Sequence, residues 1–157
     1  MMEVETKQTL LITLPILGPT EATLESTGPN PYADGEEKID TYRTADGHEA
    51  WYEAGTMRLV QYGPGPDADV TKKGDGLRRD VPWLRDVAQR IAAHALSRVN
   101  LTVADVHPLE DRNEKKGVFF FRWDDFGKSA NDAGLPPFVQ VALYADGTLA
   151  SYTDTLR

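Results

Sequence analysis

Residues 139–152 read VQVALYADGTLASY, and this stretch decides the fold. Apolar and polar side chains alternate on both sides of Asp146-Gly147, as expected of strands with one buried face. An Asp-Gly pair is a preferred turn in hairpins. The stretch therefore predicts two antiparallel strands, at residues 138–144 and 148–153, joined by a tight turn.

A long amphipathic helix precedes this hairpin. Asp80 can cap a helix N-terminus, Pro82 suits its first turn, and Asn100 can adopt the left-handed conformation that ends one. Between them, apolar residues recur at helical spacing, namely Leu84, Val87, Ala88, Ile91, Ala95 and Val99. We expect a helix at residues 82–99 with this stripe facing the core.

Strand and turn patterns occupy most of the remaining chain. Further strands are expected at residues 6–14, 39–44, 48–53, 56–62, 101–107 and 117–123. The expected turns and loops are residues 28–31, 110–116 and 127–137. Gly63-Pro-Gly-Pro66 ends the strands of the first half abruptly.

These elements predict an α+β protein in which an antiparallel sheet packs on one main helix. The chain divides into a β-rich unit at residues 1–66, a linker at 67–79, and a helix-plus-sheet unit at 80–157. Tyr52-Glu-Ala-Gly-Thr56 matches Tyr144-Ala-Asp-Gly-Thr148 at the Tyr, Gly and Thr positions. The two halves are therefore either related sheet units or hairpins of one common type.

The composition narrows the classes of partner. The chain has 157 residues, 40% of them hydrophobic, which is enough for a core. Its net charge is -8 and its basic residues are scattered, which argues against nucleic acid because phosphate binding needs clustered Lys and Arg. The absence of cysteine excludes disulfides, thiol nucleophiles and thiolate metal sites. No apolar run is long enough to predict a membrane span.

The N-terminal sequence bears on the cellular location of the protein. The apolar run at residues 10–17 is interpreted as a strand and not as a signal remnant, because Glu3 and Glu5 stand where positive charge is expected. The Met1-Met2 start suggests a soluble piece of a longer protein. We therefore expect that a signal or anchor is missing from this sequence.

No side chains are spaced for catalysis. His48, His94 and His107 lack metal-binding spacing, and His94 is expected to be a partly buried or boundary residue beside the helix stripe. The carboxylate pairs Asp124-Asp125 and Glu36-Glu37 are adjacent, and the first is expected to end a strand or cap a turn. The serines lie in no nucleophile motif. We expect no catalytic residue, no cofactor and no metal.

The aromatic strand at residues 118–123 is the remaining functional candidate. Alternation places Phe119, Phe121 and Trp123 on one face and Phe120 on the other. One face is expected to pack on the helix, and the other needs a further layer or a partner. Phe120 and Trp123 are therefore the candidate partner-binding residues, depending on which of them is exposed.

The second half resembles a PepSY-type module, a small domain of peptidase propeptides and exported bacterial proteins. The resemblance lies in the helix at 80–100, the strand VFFFRW at 118–123 and the hairpin VQVALYADGTL at 139–149. Residues 39–62 look like the strands of a second copy without its helix. The resemblance implies a cystatin-like sheet curled around a helix. It also implies a binding, chaperoning or inhibitory role outside the cytoplasm, without catalytic residues.

Two functions remain open from the sequence. The first is a non-catalytic binding domain that modulates or inhibits a protein or peptide partner, in an extracytoplasmic or cell-surface-attached location. The alternative is a small-ligand carrier or small enzyme that uses the concave face of the sheet. A carrier or enzyme needs a deep pocket with converging polar groups, whereas a binding module needs an exposed patch or edge.

Overall fold

A computed structural model describes residues 8–14, 17–31, 38–65, 76–113, 117–131 and 134–157. In these ranges the chain forms nine strands, one α-helix and one short 3₁₀ helix. The first strands are β1 (Thr9–Leu14), β2 (Leu17–Pro29), β3 (Lys38–Thr44), β4 (His48–Glu53) and β5 (Leu59–Pro64). After them come α1 (Val81–Ser97), the 3₁₀ helix (Val103–Asp105), β6 (His107–Asn113), β7 (Val118–Asp124), β8 (Phe138–Tyr144) and β9 (Leu149–Asp154).

All nine strands belong to one antiparallel sheet with the order β1-β2-β3-β4-β5-β9-β8-β7-β6. Each half of the chain is a meander, and the two meanders meet where β5 pairs with β9. Gln61 lies opposite Thr153 at this seam, and Tyr62 lies opposite Tyr152. The predicted α+β class and antiparallel sheet with one helix are confirmed, and strands predominate.

The boundary between the two predicted units is described only in part. Residues 67–75 of the predicted linker lie outside the described residues, and residues 76–79 form no helix or strand. The division into units at 1–66 and 80–157 stays a prediction, and one sheet includes strands of both. Among the described residues, no helix is long and apolar enough to cross a membrane.

The helix α1 forms where the sequence predicts it. The Asp80 carboxylate accepts a hydrogen bond from the Trp83 backbone N–H at 2.9 Å, which satisfies a donor of the first turn. Asn100, with φ of 60°, takes the predicted left-handed conformation just beyond the helix. The apolar stripe is buried and packs on β7 and β8. This packing anchors the helix on the second half of the sheet.

Two segments differ from the sequence prediction. β2 was not predicted, because its Gly and Pro residues, notably Pro19 and Pro29, are typical of loops. The predicted strand at 101–107 is wrong: the 3₁₀ helix lies there, held by a capping box between Thr102 and Asp105. The strand β6 begins at His107 and continues into the predicted turn at 110–116. β6 is an edge strand with exposed side chains, so it shows no apolar alternation.

The sheet has two different faces. The inner face, on the side of α1, contributes Ile12, Tyr42, Tyr62, Phe121, Val141 and Tyr152 to one core cluster with the helix. The opposite side, called the open face below, contains the smaller cluster of Val118, Ala142, Tyr144, Ala150 and Phe120. The single α-helix of the described ranges lies on the inner face. On the open face, Val118, Ala142, Tyr144 and Ala150 are buried, and Phe120 is half-buried.

Candidate functional site

A cavity of about 750 Å³ lies on the inner face at one end of the sheet. It is bordered by the end of β1, the β4–β5 turn, the C-terminal turn of α1 and the residues after β9. Its polar lining includes Glu53, Arg58 and Arg98, which come from widely separated parts of the sequence. We call this cavity the arginine pocket.

A buried carboxylate organises the arginine pocket. Asp154 has 0% of its surface exposed and ends β9. Its Oδ2 accepts hydrogen bonds from Arg98 Nη2 and from the Tyr152 hydroxyl, the latter at 3.2 Å. Its Oδ1 accepts from the Leu156 backbone N–H at 3.0 Å and lies 3.9 Å from Arg58 Nη1. Both oxygens of this buried carboxylate thus have partners, as a buried polar group requires.

The two arginines of the pocket differ in how many of their guanidinium nitrogens contact a partner. Arg58 lies 3.2 Å from Glu53 through Nη2 and donates to the Leu156 carbonyl oxygen through Nη1, while its Nε is buried without a hydrogen-bond partner. Arg98 contacts Asp154 through Nη2, and its side chain is 37% exposed. Two guanidinium groups thus lie beside two carboxylates, Glu53 and Asp154, and within the described residues Arg98 uses only one of its nitrogens.

The tyrosines of the pocket are neutral at physiological pH. Burial raises the pKa of Tyr152 to about 12, against the lowering effect of Arg98 and Arg58. Burial also raises the pKa of Tyr52 to about 12. Both phenols are therefore hydrogen-bond donors and not bases. This chemistry suits binding better than proton abstraction.

The histidines do not form a common site. His48 is 3% exposed, stacks on Tyr62 at 5.5 Å, and its Nδ1 lies 3.1 Å from Asp46 Oδ1. His107 is exposed on β6. His94 is exposed on α1 next to the buried Ala95 and lines the arginine pocket, so of the two predicted positions it takes the one at the boundary of the stripe and is not partly buried. In the described ranges, no group of three or more His, Asp or Glu side chains is arranged to hold a metal ion.

The carboxylate pair Asp124-Asp125 has the predicted structural role. Asp124 ends β7 and accepts a hydrogen bond from Arg122 Nε at 2.7 Å. Asp125 accepts one from the Gly127 backbone N–H at 3.0 Å in the following turn. Both side chains are buried, and each has its own partner. The pair Glu36-Glu37 lies outside the described residues.

The two partner-binding candidates lie on different faces. Trp123 is 5% exposed and packs in the inner-face core, which removes it from the surface. Phe120 is half-buried on the open face, as the alternation of β7 predicts. Two exposed apolar side chains lie in the same region: Leu109, 54% exposed and opposite Arg122, and Phe126, 66% exposed and 5.7 Å from the His107 ring. We call Phe120, Leu109 and Phe126 the apolar corner.

The first half of the sheet adds an acidic area to the open face. Arg43 Nε lies 2.5 Å from Glu25, and Arg43 Nη2 lies 2.9 Å from Glu49. Glu21, two residues from Thr23 on β2, shares this face by strand alternation. Two carboxylates, Glu25 and Glu49, thus pair with the Arg43 guanidinium, and Glu21 adds a third carboxylate to the same face. The half-buried Trp51 lies next to this acidic area on β4.

Sequence reasoning did not find the arginine pocket. Arg98 and Asp154 are 56 residues apart, and Arg58 and Leu156 are 98 apart, so no local spacing connects them. Arg98 meets Asp154 because α1 packs on the second half of the sheet, and the pairing of β5 with β9 brings Arg58 to Leu156. Comparison of the chain with models of known protein families, with curated proteins and with solved structures found no match.

Proposed function

We propose that this protein is a non-catalytic binding domain that recognises a protein or peptide partner through the open face of its sheet. The observation that carries the proposal is the apolar corner, where Leu109 and Phe126 are more than half exposed in the β6–β7 part of the sheet that also carries Phe120. Exposed apolar groups that cluster on one face are typical of interaction sites. Aromatic side chains are frequent anchors of such sites.

The charge of the open face favours a basic partner. Glu21, Glu25 and Glu49 outnumber Arg43 in the acidic area, and the whole chain has a net charge of -8. Complementary charge guides association and excludes wrong partners. A peptide with apolar side chains at one end and Lys or Arg at the other would match both areas of this face.

Several observations support a non-catalytic role. The buried carboxylates Asp124, Asp125 and Asp154 are each engaged in structural hydrogen bonds. His48 is enclosed against Tyr62, while His94 and His107 lie on different elements of the structure. Catalysis needs a nucleophile or base held by a second group in line with a substrate. The described residues provide structural pairs in place of such an arrangement.

The proposal extends to a PepSY-type, cystatin-like architecture with two related sheet units. Its support is the position of α1 on β7 and β8, and the meeting of two hairpins at β5–β9 with Tyr62 opposite Tyr152. Against a strict repeat, Tyr52 belongs to the inner core whereas Tyr144 belongs to the open face. The extracytoplasmic or cell-surface location rests on the PepSY resemblance alone.

A second candidate function is the small-ligand carrier. It is favoured by one observation, the arginine pocket, where polar groups converge on a cavity large enough for a small molecule. The two candidates use opposite faces of the sheet, so single substitutions can separate them.

A random-peptide display library, selected on the purified protein, tests the proposed function. We expect the enriched peptides to combine apolar residues with Lys or Arg. Phe120→Ala together with Leu109→Ala should weaken the binding of these peptides at least about tenfold, because both side chains belong to the apolar corner. His94→Ala, on the other side of the sheet, is the matched control and should leave the affinity unchanged.

Three outcomes would contradict the proposal. The first is that the library gives no enrichment over a blank surface. The second is that the enriched peptides bind the protein with Phe120→Ala and Leu109→Ala as well as they bind the unchanged protein. The third is that His94→Ala weakens peptide binding as much as those two substitutions do. Melting temperatures of all variants verify that each is folded. A hydrolase or transferase activity that disappears with His94→Ala would favour the small-enzyme alternative.

A further inference from the structure

We propose that the arginine pocket binds a small organic carboxylate with an apolar tail, and that Arg98 holds its carboxylate group. This inference rests on the carrier candidate and not on the open-face binding function. It follows from three features of the pocket: the unused donors of Arg98, the apolar lining, and the local charge.

Asp154 holds the Arg98 guanidinium in place but engages only one of its nitrogens. That nitrogen is Nη2, and no further partner of Arg98 is present in the described part of the chain. Its Nη1 and Nε donors are therefore available, and more than a third of its side chain is exposed. A guanidinium offers five N–H donors in a planar fork that matches a carboxylate. The buried Asp154 thus orients a cation for a second oxyanion.

Arg85 on the same helix shows the contrasting arrangement. Glu110 engages both its Nε and its Nη2, the latter at 2.9 Å, so the fork is already closed by a carboxylate of the protein. Arg85 is on the surface of α1 and does not line the cavity. The two arginines have the same chemistry, and only Arg98 combines open donors with a cavity.

The cavity gives the ligand its apolar part. Its walls include Leu14, Tyr52, Met57, Leu59 and Val99, all beside the charged groups. A volume of about 750 Å³ is within the usual range for small-molecule sites. A carboxylate that carries a hydrocarbon chain can therefore place its charge at Arg98 and its tail against these side chains. Hydrophobic burial would then add to the charged contact.

The side-chain charge of the pocket favours an anion. Arg58, Arg98 and Arg157 line the cavity together with Glu53, and Asp154 lies beside them. Three guanidinium groups and two carboxylates leave one net positive charge, in a chain whose net charge is -8. The exposed His94 adds to this charge when it is protonated. The pocket is therefore a locally cationic site on an acidic protein.

Calorimetric titration with octanoate, using 1-octanol and inorganic phosphate as comparison probes, tests the inference. We expect one saturable octanoate site, with 1-octanol and phosphate each at least about tenfold weaker, since each lacks one half of the recognised chemistry. Arg98→Gln should weaken octanoate binding by a similar factor, whereas the matched control Arg85→Gln should leave the octanoate affinity unchanged. Arg98→Lys should recover only part of the affinity, because Lys keeps the charge but not the fork.

Folding is controlled by the double variant Arg98→Gln with Asp154→Asn, which removes both charges and leaves no buried carboxylate unpaired. It should melt cooperatively and still bind octanoate weakly. The inference is overturned if octanoate does not saturate, if 1-octanol or phosphate binds equally well, or if the Arg98 variants keep full affinity. Phe120→Ala should leave octanoate binding unchanged. Loss of octanoate binding alone therefore leaves the open-face proposal intact, and loss of peptide binding alone leaves this one intact.

Discussion

Gly147 shows how single residues determine the turns of this sheet. It has φ of 92° in the β8–β9 turn, a conformation that side chains with a Cβ rarely adopt. The Trp83 ring of α1 also lies directly over it, and a Cβ at position 147 would be 2.5 Å from the ring. The Arg79 guanidinium also lies over the Trp83 ring, 4.7 Å from its centre. The turn thus helps to dock the start of the helix.

Gly147→Ala should destabilise the protein more than Gly117→Ala. Gly117 has φ of 61°, and nothing lies within 4 Å of the position that an alanine Cβ would take, so its substitution costs only the backbone term of about 1–2 kcal/mol. Gly147→Ala also displaces the Trp83 ring, which should add about 1–3 kcal/mol. Denaturant unfolding measures both losses. If Gly147→Ala still destabilises the protein more than Gly117→Ala when Trp83 is replaced by Ala, the contact with the ring is not the cause of the difference.

Residue-scale features divide into local ones that the sequence predicts and distant ones that it does not. Asp80, Asn100 and the Asp146-Gly147 turn act on neighbouring backbone groups, so residue type and spacing were enough to predict them. Asp154 looks like an ordinary aspartate at the end of a strand. Its burial depends on Arg98 and Arg58, which only the tertiary fold brings near.

At the scale of elements, α1 contributes seven buried residues to the core and packs on β7 and β8. Ile91 is buried at the centre of its apolar stripe. Strand predictions succeeded where side chains alternate, as in β4 and β8, whose bounds match the prediction. They failed for β2 and β6, which depend on backbone pairing with a neighbour more than on their own apolar pattern.

Ile91→Ala should lower the free energy of unfolding by about 2–5 kcal/mol, the range for large-to-small changes in a packed core. The control is Arg90→Ala, the exposed neighbour on the same helix, which should change it by no more than about 0.5 kcal/mol. Urea unfolding of the three proteins gives these values. A loss for Ile91→Ala as small as that of the control would mean that this helix face does not form the core.

At the scale of the molecule, the arginine pocket and the open face both extend across the seam between β5 and β9. The arginine pocket combines Arg58 of the first half with Arg98 and Asp154 of the second. The open face likewise carries the acidic area on the first half and the apolar corner on the second. The sequence predicted strands in both halves but not their union, because the order of strands in a sheet depends on long-range pairing.

Hydrogen exchange of the backbone amides that bond across the β5–β9 seam tests this central claim most directly. If the two meanders form one sheet with one core, these amides near Tyr62 and Tyr152 exchange with the same opening free energy as amides in the centre of β8. The contrary result is seam protection at least about a hundredfold weaker than that of β8. The halves would then open independently, and neither site would be held in the geometry described.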